Sequence, residues 1–410
     1  MLLASLVCVY NYETYEMEAM LFESVFIISL GSFIFTIVCM PLKAKTIYSN
    51  KFINSIPLYD KYKINNLIKA YLFLDVIAIA CFFLKMYLLA SFFGGNLSGS
   101  ELIGEAKADA SSGDLTFHYP IYITLMAFWG RTLSFFTCWF LAVSFFTNKI
   151  NKKFRWLLIL HFSFIIAEGF TSGTKDSILD PIFRFAVILA FLYFSKRKST
   201  KLTRKIVLIL LISLMSLVFG IVGISEIIGR NGLNDFESSD QYFSVYFGAE
   251  IKNFDIYMHG WDGNPQNRYW GQSTFSRLYE EILPNYKAED DAFQDIGSVR
   301  LGNVYTQWFS FHKDFGYPGI IIMTIIMAFV SMYIFNHSLK TIRNPLFPNI
   351  YLFMYSSISM CIFMSFFSSR FTNHFFTIFF VRRMLLLWLL IYLLEHHPYF
   401  IKRQYVHRKY

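Results

Sequence analysis

Three side chains in the C-terminal part of this 410-residue sequence could take a proton from an attacking hydroxyl: His312, Asp314 and His374. An imidazole titrates near neutral pH and suits general-base work, and a carboxylate does so where its surroundings favour the proton. Glu168 is a further acceptor of this kind. A second group is cationic: Arg131, Lys175, Arg230 and Arg370 lie within or beside an apolar run, and Arg300 opens the polar, aromatic stretch that leads into the run at 318–337. A guanidinium offers a planar fork to phosphoryl oxygens and does not deprotonate, so several gathered together would hold a phosphate or diphosphate. Lys175 follows a small-residue turn, Thr171-Ser-Gly-Thr, at a helix start, where backbone N–H groups also suit an anion. Each has an ordinary reading beside it. Arg131 could pair with Glu168 or Asp75, the turn could be a helix start capped by Thr174 or Asp176, a lone arginine could anchor an interface, and His312 could be aromatic packing.

These residues must be positioned by membrane helices. The chain is 16% charged, 55% hydrophobic and 20% aromatic, well below the charge of a soluble domain. Apolar runs long enough to cross a hydrocarbon core fall near 21–41, 70–93, 119–147, 156–172, 178–195, 206–226, 318–337, 349–368 and 375–394. The expected fold is an all-α polytopic membrane protein of about nine transmembrane helices with one large, partly helical outside loop. It divides into an N-terminal bundle of about six helices over 1–226, the loop at 227–317, and C-terminal helices with a basic tail over 318–410.

Basic residues set the orientation. They crowd the connections at 42–69, 148–155 and 196–205, and the C-terminal tail, which places these inside and the N-terminus outside. The net charge of +9 is spread over such loops, so no nucleic-acid partner is implied. The five cysteines lie in apolar stretches without metal-ligand spacing, and the acidic run Glu289-Asp290-Asp291 reads as a solvated face, so neither a metal nor a cofactor is expected. Residues 94–118, rich in Gly, Ser and Ala, read as a flexible cover. The long loop is too aromatic for a disordered linker, and a short helix is expected at 273–283. Its Trp261, Tyr269, Trp270 and Trp308 suit either stacking on sugar faces or an interfacial belt.

The segment Gly302-Asn-Val-Tyr-Thr-Gln-Trp, followed by Lys313-Asp-Phe-Gly-Tyr-Pro-Gly-Ile and an apolar run, resembles the region after the large periplasmic loop in bacterial O-antigen polymerases. The turn Ser172-Gly-Thr-Lys-Asp resembles that family's Gly-Ser/Thr-Arg turn, with Lys175 in place of arginine. The resemblance implies an inner-membrane glycosyltransferase that joins undecaprenyl-diphosphate-linked oligosaccharides at the periplasmic face, with the N-terminus periplasmic and the C-terminus cytoplasmic. The five cations, of which Lys175 lies in the resembling turn, would then bind the diphosphate and substrate together with Asn303 and Tyr305 of the resembling segment. Its partners would be the lipid-linked oligosaccharides, membrane lipids, a chain-length regulator and a flippase. Two alternatives stand beside it: a ligase-like glycan transferase, and a non-enzymatic transporter of the lipid-linked unit. The concentration of charge at one face, rather than at a midplane between paired halves, argues against transport.

Overall fold

The computed structural model describes residues 2–14, 19–40, 61–94, 96–99, 101–105, 117–146, 150–171, 175–196, 239–260, 269–287, 291, 293–296, 299–340 and 349–396. The expected span at 206–226, Arg230 and Trp261 lie outside them. Apolar sequence in lipid must satisfy its backbone internally, and here it does so as helices. In chain order these are α1 (Leu2–Thr14), α2 (Phe22–Cys39), α3 (Lys61–Phe93), α4 (Ile121–Phe146), α5 (Lys152–Phe170) and α6 (Lys175–Lys196). There follow α7 (Ser239–Gly260), α8 (Ser276–Ile282), α9 (Gln307–Lys340), α10 (Ile350–Phe363), α11 (Arg370–Phe375) and α12 (Ile378–His396). Among the described residues, four segments are long and apolar enough to cross a membrane: Phe22–Cys39, Asn65–Phe93, Ile121–Phe145 and Gln307–Ser338. Helices α5, α6 and α12 form where spans were expected but carry charges within their apolar stretches. Phe22, Phe33, Phe73, Phe83, Ile322 and Phe329 present large apolar surfaces outward, which lipid accommodates and water does not. The chain is a mostly helical, membrane-associated protein.

The described elements fall into two compact units that are discontinuous in sequence. The first comprises residues 1–45, 230–337 and 357–382, so α1 and α2 group with the long loop rather than with the helices of 61–196, as a continuous 1–226 bundle would require. The reason is visible in α7, a helix whose Glu250, Lys252, Asn253 and Asp255 are all buried. Asp255 accepts from the Lys252 ammonium at 2.9 Å and from the backbone N–H of Leu21 at 2.8 Å. It thereby supplies a carboxylate to the start of α2, where free amides and the helix dipole favour negative charge. Asn253 donates to the carbonyls of Gly302 and Val304 at 3.1 and 2.9 Å, fixing the chain as it leaves a β-hairpin. That hairpin, β1 (Gln294–Ile296) antiparallel to β2 (Val299–Gly302), is an addition to the all-α expectation. Strands of three and four residues are too short to show a period in sequence.

The apolar span expected at 318–337 occupies only the second part of α9. The helix is broken at Gly316, whose φ of 63° and ψ of −155° are a conformation glycine adopts without a Cβ penalty, and Pro318 follows at once. Trp308 donates its indole N–H to the Thr324 hydroxyl at 3.2 Å, although sixteen residues of straight helix would separate them by about 24 Å. The 307–315 part therefore lies back along the apolar part. Gly31 of α2 completes this packing, because any side chain there would overlap the Trp308 indole.

In the second unit, residues 46–229, 338–356 and 383–410, α4 is the inner helix. Its most apolar window is 78% buried against 33% for α3, and it packs on α3, α5 and α6. The expected flexible cover contains an ordered turn: Ser98 N–H donates to the Glu101 carboxylate at 2.6 Å and Glu101 N–H to the Ser98 hydroxyl at 3.4 Å. This reciprocal capping box holds the Glu101 carboxyl below its ordinary range, first through the Ser98 backbone N–H. Leu102 and Ile103 then bury against Leu89. Ser98-x-x-Glu101 was a readable signal that the Gly and Ser content obscured.

Replacing Gly31 by valine forces three heavy atoms into the space of the Trp308 indole and should destabilise the protein by roughly 1–3 kcal/mol. A lowered thermal unfolding midpoint in detergent is expected; an unchanged midpoint would refute the close approach.

Candidate functional site

A cavity in the first unit has a volume of about 510 Å³ and is walled by three segments, with Tyr286 and Asp291 at its side. One is the turn at 271–275 leading into α8, the second is the 307–315 part of α9 with the residues before it, and the third is 367–374. Their cross-bonds explain why they stay together. The Gln307 side chain accepts from Phe371 N–H at 3.2 Å and donates to the Thr372 hydroxyl at 3.4 Å. The Ser310 and Ser369 hydroxyls share a hydrogen bond, and the Ser310 carbonyl accepts from the Thr274 hydroxyl at 3.1 Å. Ser276 donates to the Asn373 side chain at 3.1 Å.

Asp314 acts on the same frame. Its carboxylate oxygens accept from the backbone N–H groups of Ser273 and Thr274, at 3.1 and 2.6 Å. It is a clasp between the turn and α9, outside the cavity lining. His312 is also absent from that lining and is 1% exposed. Its Nδ1 lies 3.2 Å from the Tyr257 hydroxyl, and the rings of Tyr257 and Tyr317 meet it edge-on. The placement is that of the aromatic packing reading.

Four of the sequence-derived candidates do come together at the cavity: Asn303, Tyr305, Arg370 and His374. Tyr305 stacks on Phe309 with centroids 4.1 Å apart and accepts from the Gln294 amide at 3.1 Å. Burial pushes its phenol pKa up, so it is a neutral hydrogen-bonding group there. Arg370 opens α11 and His374 lies one turn on. Lys313 and Arg277 join them, Lys313 bonded to Asp291 at 3.1 Å and Arg277 to Glu280 at 2.8 Å. Three cations and one carboxylate thus line the cavity, a balance that favours an anionic or polyhydroxylated ligand. Lys313 was legible: with a helix beginning at Gln307, residues 309, 310 and 313 share one face and 308, 311 and 312 another. That helical start was not apparent while the apolar run alone marked the span.

The remaining candidates stand elsewhere or outside the description. Arg131 lines a separate cavity of the second unit and pairs with Glu168 at 3.5 Å, and Lys85 bonds the same carboxylate. Lys175 is the first residue of α6, and Arg300 pairs through its backbone position with Asp295 in the hairpin; the side chains of both lie outside the described residues, as does the whole of Arg230. No group of His, Cys, Asp and Glu with metal-holding geometry occurs among the described residues. No protein-family model, curated protein or solved structure matches the chain.

Truncating Asp314 to alanine should leave the Ser273 and Thr274 amides without their acceptor, at a cost of about 1–3 kcal/mol. Hydrogen exchange at those two amides should accelerate while exchange in α7 stays as in the parent. Equal protection in both proteins would remove the clasp.

Proposed function

We propose that this protein polymerises undecaprenyl-diphosphate-linked oligosaccharide repeat units into O-antigen or a related surface polysaccharide. It transfers the growing glycan at the periplasmic face of the bacterial inner membrane and releases undecaprenyl diphosphate. The observation that carries the reading is the cavity in which Asn303, Tyr305, Lys313, Arg370 and His374 meet beside the break in a membrane-length helix. Asn303, Tyr305 and Lys313 belong to the segment that resembles the polymerase family, and Arg370 and His374 join them from outside it. A lipid-linked donor needs a protein reached from the bilayer, and a diphosphate leaving group needs fixed cations where charge develops; Lys313 and Arg370 answer the second need.

On this reading His374, which lines the cavity, is the proton acceptor for the attacking sugar hydroxyl, and the stacked Tyr305–Phe309 pair offers a face to a sugar ring. His312 and Asp314 support the wall from behind it. Arg131, Lys175, Arg230 and Arg300 keep the substrate-binding roles that their charge suggests, and Lys175 also lies in the turn that resembles the family. The topology of the proposal has about nine spans, including 206–226, with the 227–317 loop and the N-terminus in the periplasm and the basic tail in the cytoplasm.

Purified protein given lipid-linked repeat units should lengthen them without any nucleotide sugar. Arg370→Ala should lower the rate by about 10²–10³-fold, the scale for removing one stabiliser of developing charge. Failure to elongate, or full activity in Arg370→Ala, would count against the assignment. A gene deletion separates polymerase from ligase: loss of the polymerase leaves single repeat units on the lipid A core, whereas loss of a ligase leaves long unattached chains.

A further inference from the structure

We propose that residues 269–283 form a membrane-surface element of the first unit, seated in the headgroup layer of a phospholipid bilayer with Trp270 as its anchor. An indole has an apolar body and a polar edge, so it settles where lipid meets water. Trp270 is 75% exposed, and Ile282, at the far end of the segment, is 55% exposed. Both face out of a segment that is otherwise firmly held.

The segment is fixed to the ends of two apolar helices. Trp270 stacks on Phe275 with ring centroids 6.1 Å apart and packs on Phe315 at 4.9 Å. Phe315 directly precedes the reversal at Gly316, beyond which the apolar part of α9 begins. Because 307–315 lies back along that part, the reversal marks its extremity, the depth at which a span meets the headgroups. Phe275 in turn meets Phe376 edge-on at 5.8 Å, just ahead of α12. Glu281 of α8 then accepts from the backbone N–H groups of Ile378 and Phe379, at 2.5 and 3.2 Å, and so caps the start of α12. Gly271, with φ of 68°, permits the close approach, since a Cβ there would crowd the rings of Phe275 and Phe315.

The apolar surface continues from the segment into both helices. Tyr317, Ile321, Ile322 and Ile325 of α9 are exposed, as are Phe379 and Val381 of α12. On a helix long enough to cross a membrane these side chains face lipid, so the surface at Trp270 is the edge of one that lipid covers. Charge is not what holds it there. Residues 269–287 carry Arg277 and Lys287 against Glu280 and Glu281, and Arg277 is bonded to Glu280, so a neutral bilayer suffices. Nor is Trp270 used by the cavity, which Gln272 and Ser273 line and Trp270 does not. Of the two roles open to this tryptophan, sugar stacking and an interfacial belt, the geometry selects the second. The turn that brings Gln272 and Ser273 to the cavity is thereby held at headgroup depth.

Tryptophan fluorescence of the full-length protein in phosphatidylcholine nanodiscs tests the element, with the Trp270 component taken as parent minus Trp270→Phe. Lipids brominated near the headgroup end of the acyl chain should quench about half or more of that component, and lipids brominated at the chain terminus less. Quenching by aqueous iodide with none by brominated lipid would place the segment in water. Resistance to both quenchers would place protein over it, a second copy or another partner. Either result overturns the proposal. Circular dichroism checks that the variant folds. Should Trp270→Phe fail to fold, Ile282→Trp carries the test: the emission it adds to the parent should be quenched by the same lipids, and added emission that they leave unchanged overturns the proposal.

Discussion

The site in the first unit depends on the reversal of α9 at Gly316. Without it, the polar residues 307–315 would continue a membrane-length helix, and Gln307, Ser310 and Lys313 would be carried away from their partners at 369–374 and 291. With it, one sequence serves two environments: an apolar part suited to lipid, and a polar part that forms a cavity wall. Trp308 secures the fold-back by bonding Thr324, and Gly31 makes room for its ring. Asp314 sits just before the reversal and clamps the neighbouring turn, so the geometry of the break reaches the opposite wall through two backbone amides.

The two units handle buried charge differently. In the first, Lys252 and Asp255 form a pair 1% and 0% exposed, and the remaining capacity of Asp255 is used on the backbone of Leu21. The cost of burying the pair is offset by a hydrogen bond to a backbone group that would otherwise be unsatisfied, and the start of α2 is thereby tied to α7. In the second, the Lys85–Glu168–Arg131 group is similarly compensated, while Asp75 keeps one oxygen bare. The first arrangement is architectural. The second holds a buried carboxylate of which one oxygen is bonded by Tyr71 and His161.

Much of the helical framework was legible from apolar run length, because a hydrocarbon core imposes both length and hydrogen-bonding pattern. The spans expected at 21–41, 70–93, 119–147 and 318–337 correspond to the four helices among the described residues that are long and apolar enough to cross a membrane. What run length could not reveal is how helices group: α1 packs closely on α7 at Gly248, against Cys8 and Asn11, and α2 is held by Asp255, whose partner Leu21 is 234 positions away. The site was half legible. Arg370 and His374, picked by residue type, converge with Asn303 and Tyr305, picked through the resemblance, and Arg131 has the ion-pair partner Glu168 named for it. His312 and Asp314 were picked by the same criterion, but helical phase turns them from the cavity and brings Lys313 to it. Residue type identifies chemical capacity, whereas the backbone break that sets phase is a tertiary event.

The central claim is that the cavity among Tyr305, Lys313, Arg370 and His374 receives the diphosphate and first sugars of a lipid-linked glycan. The most direct measurement is a cryo-electron-microscopy map of the protein in nanodiscs saturated with an undecaprenyl-diphosphate-linked oligosaccharide. The account predicts diphosphate density within hydrogen-bonding reach of Lys313 and Arg370, with a sugar ring against Tyr305. Ligand density seated elsewhere, with this cavity empty, would contradict it.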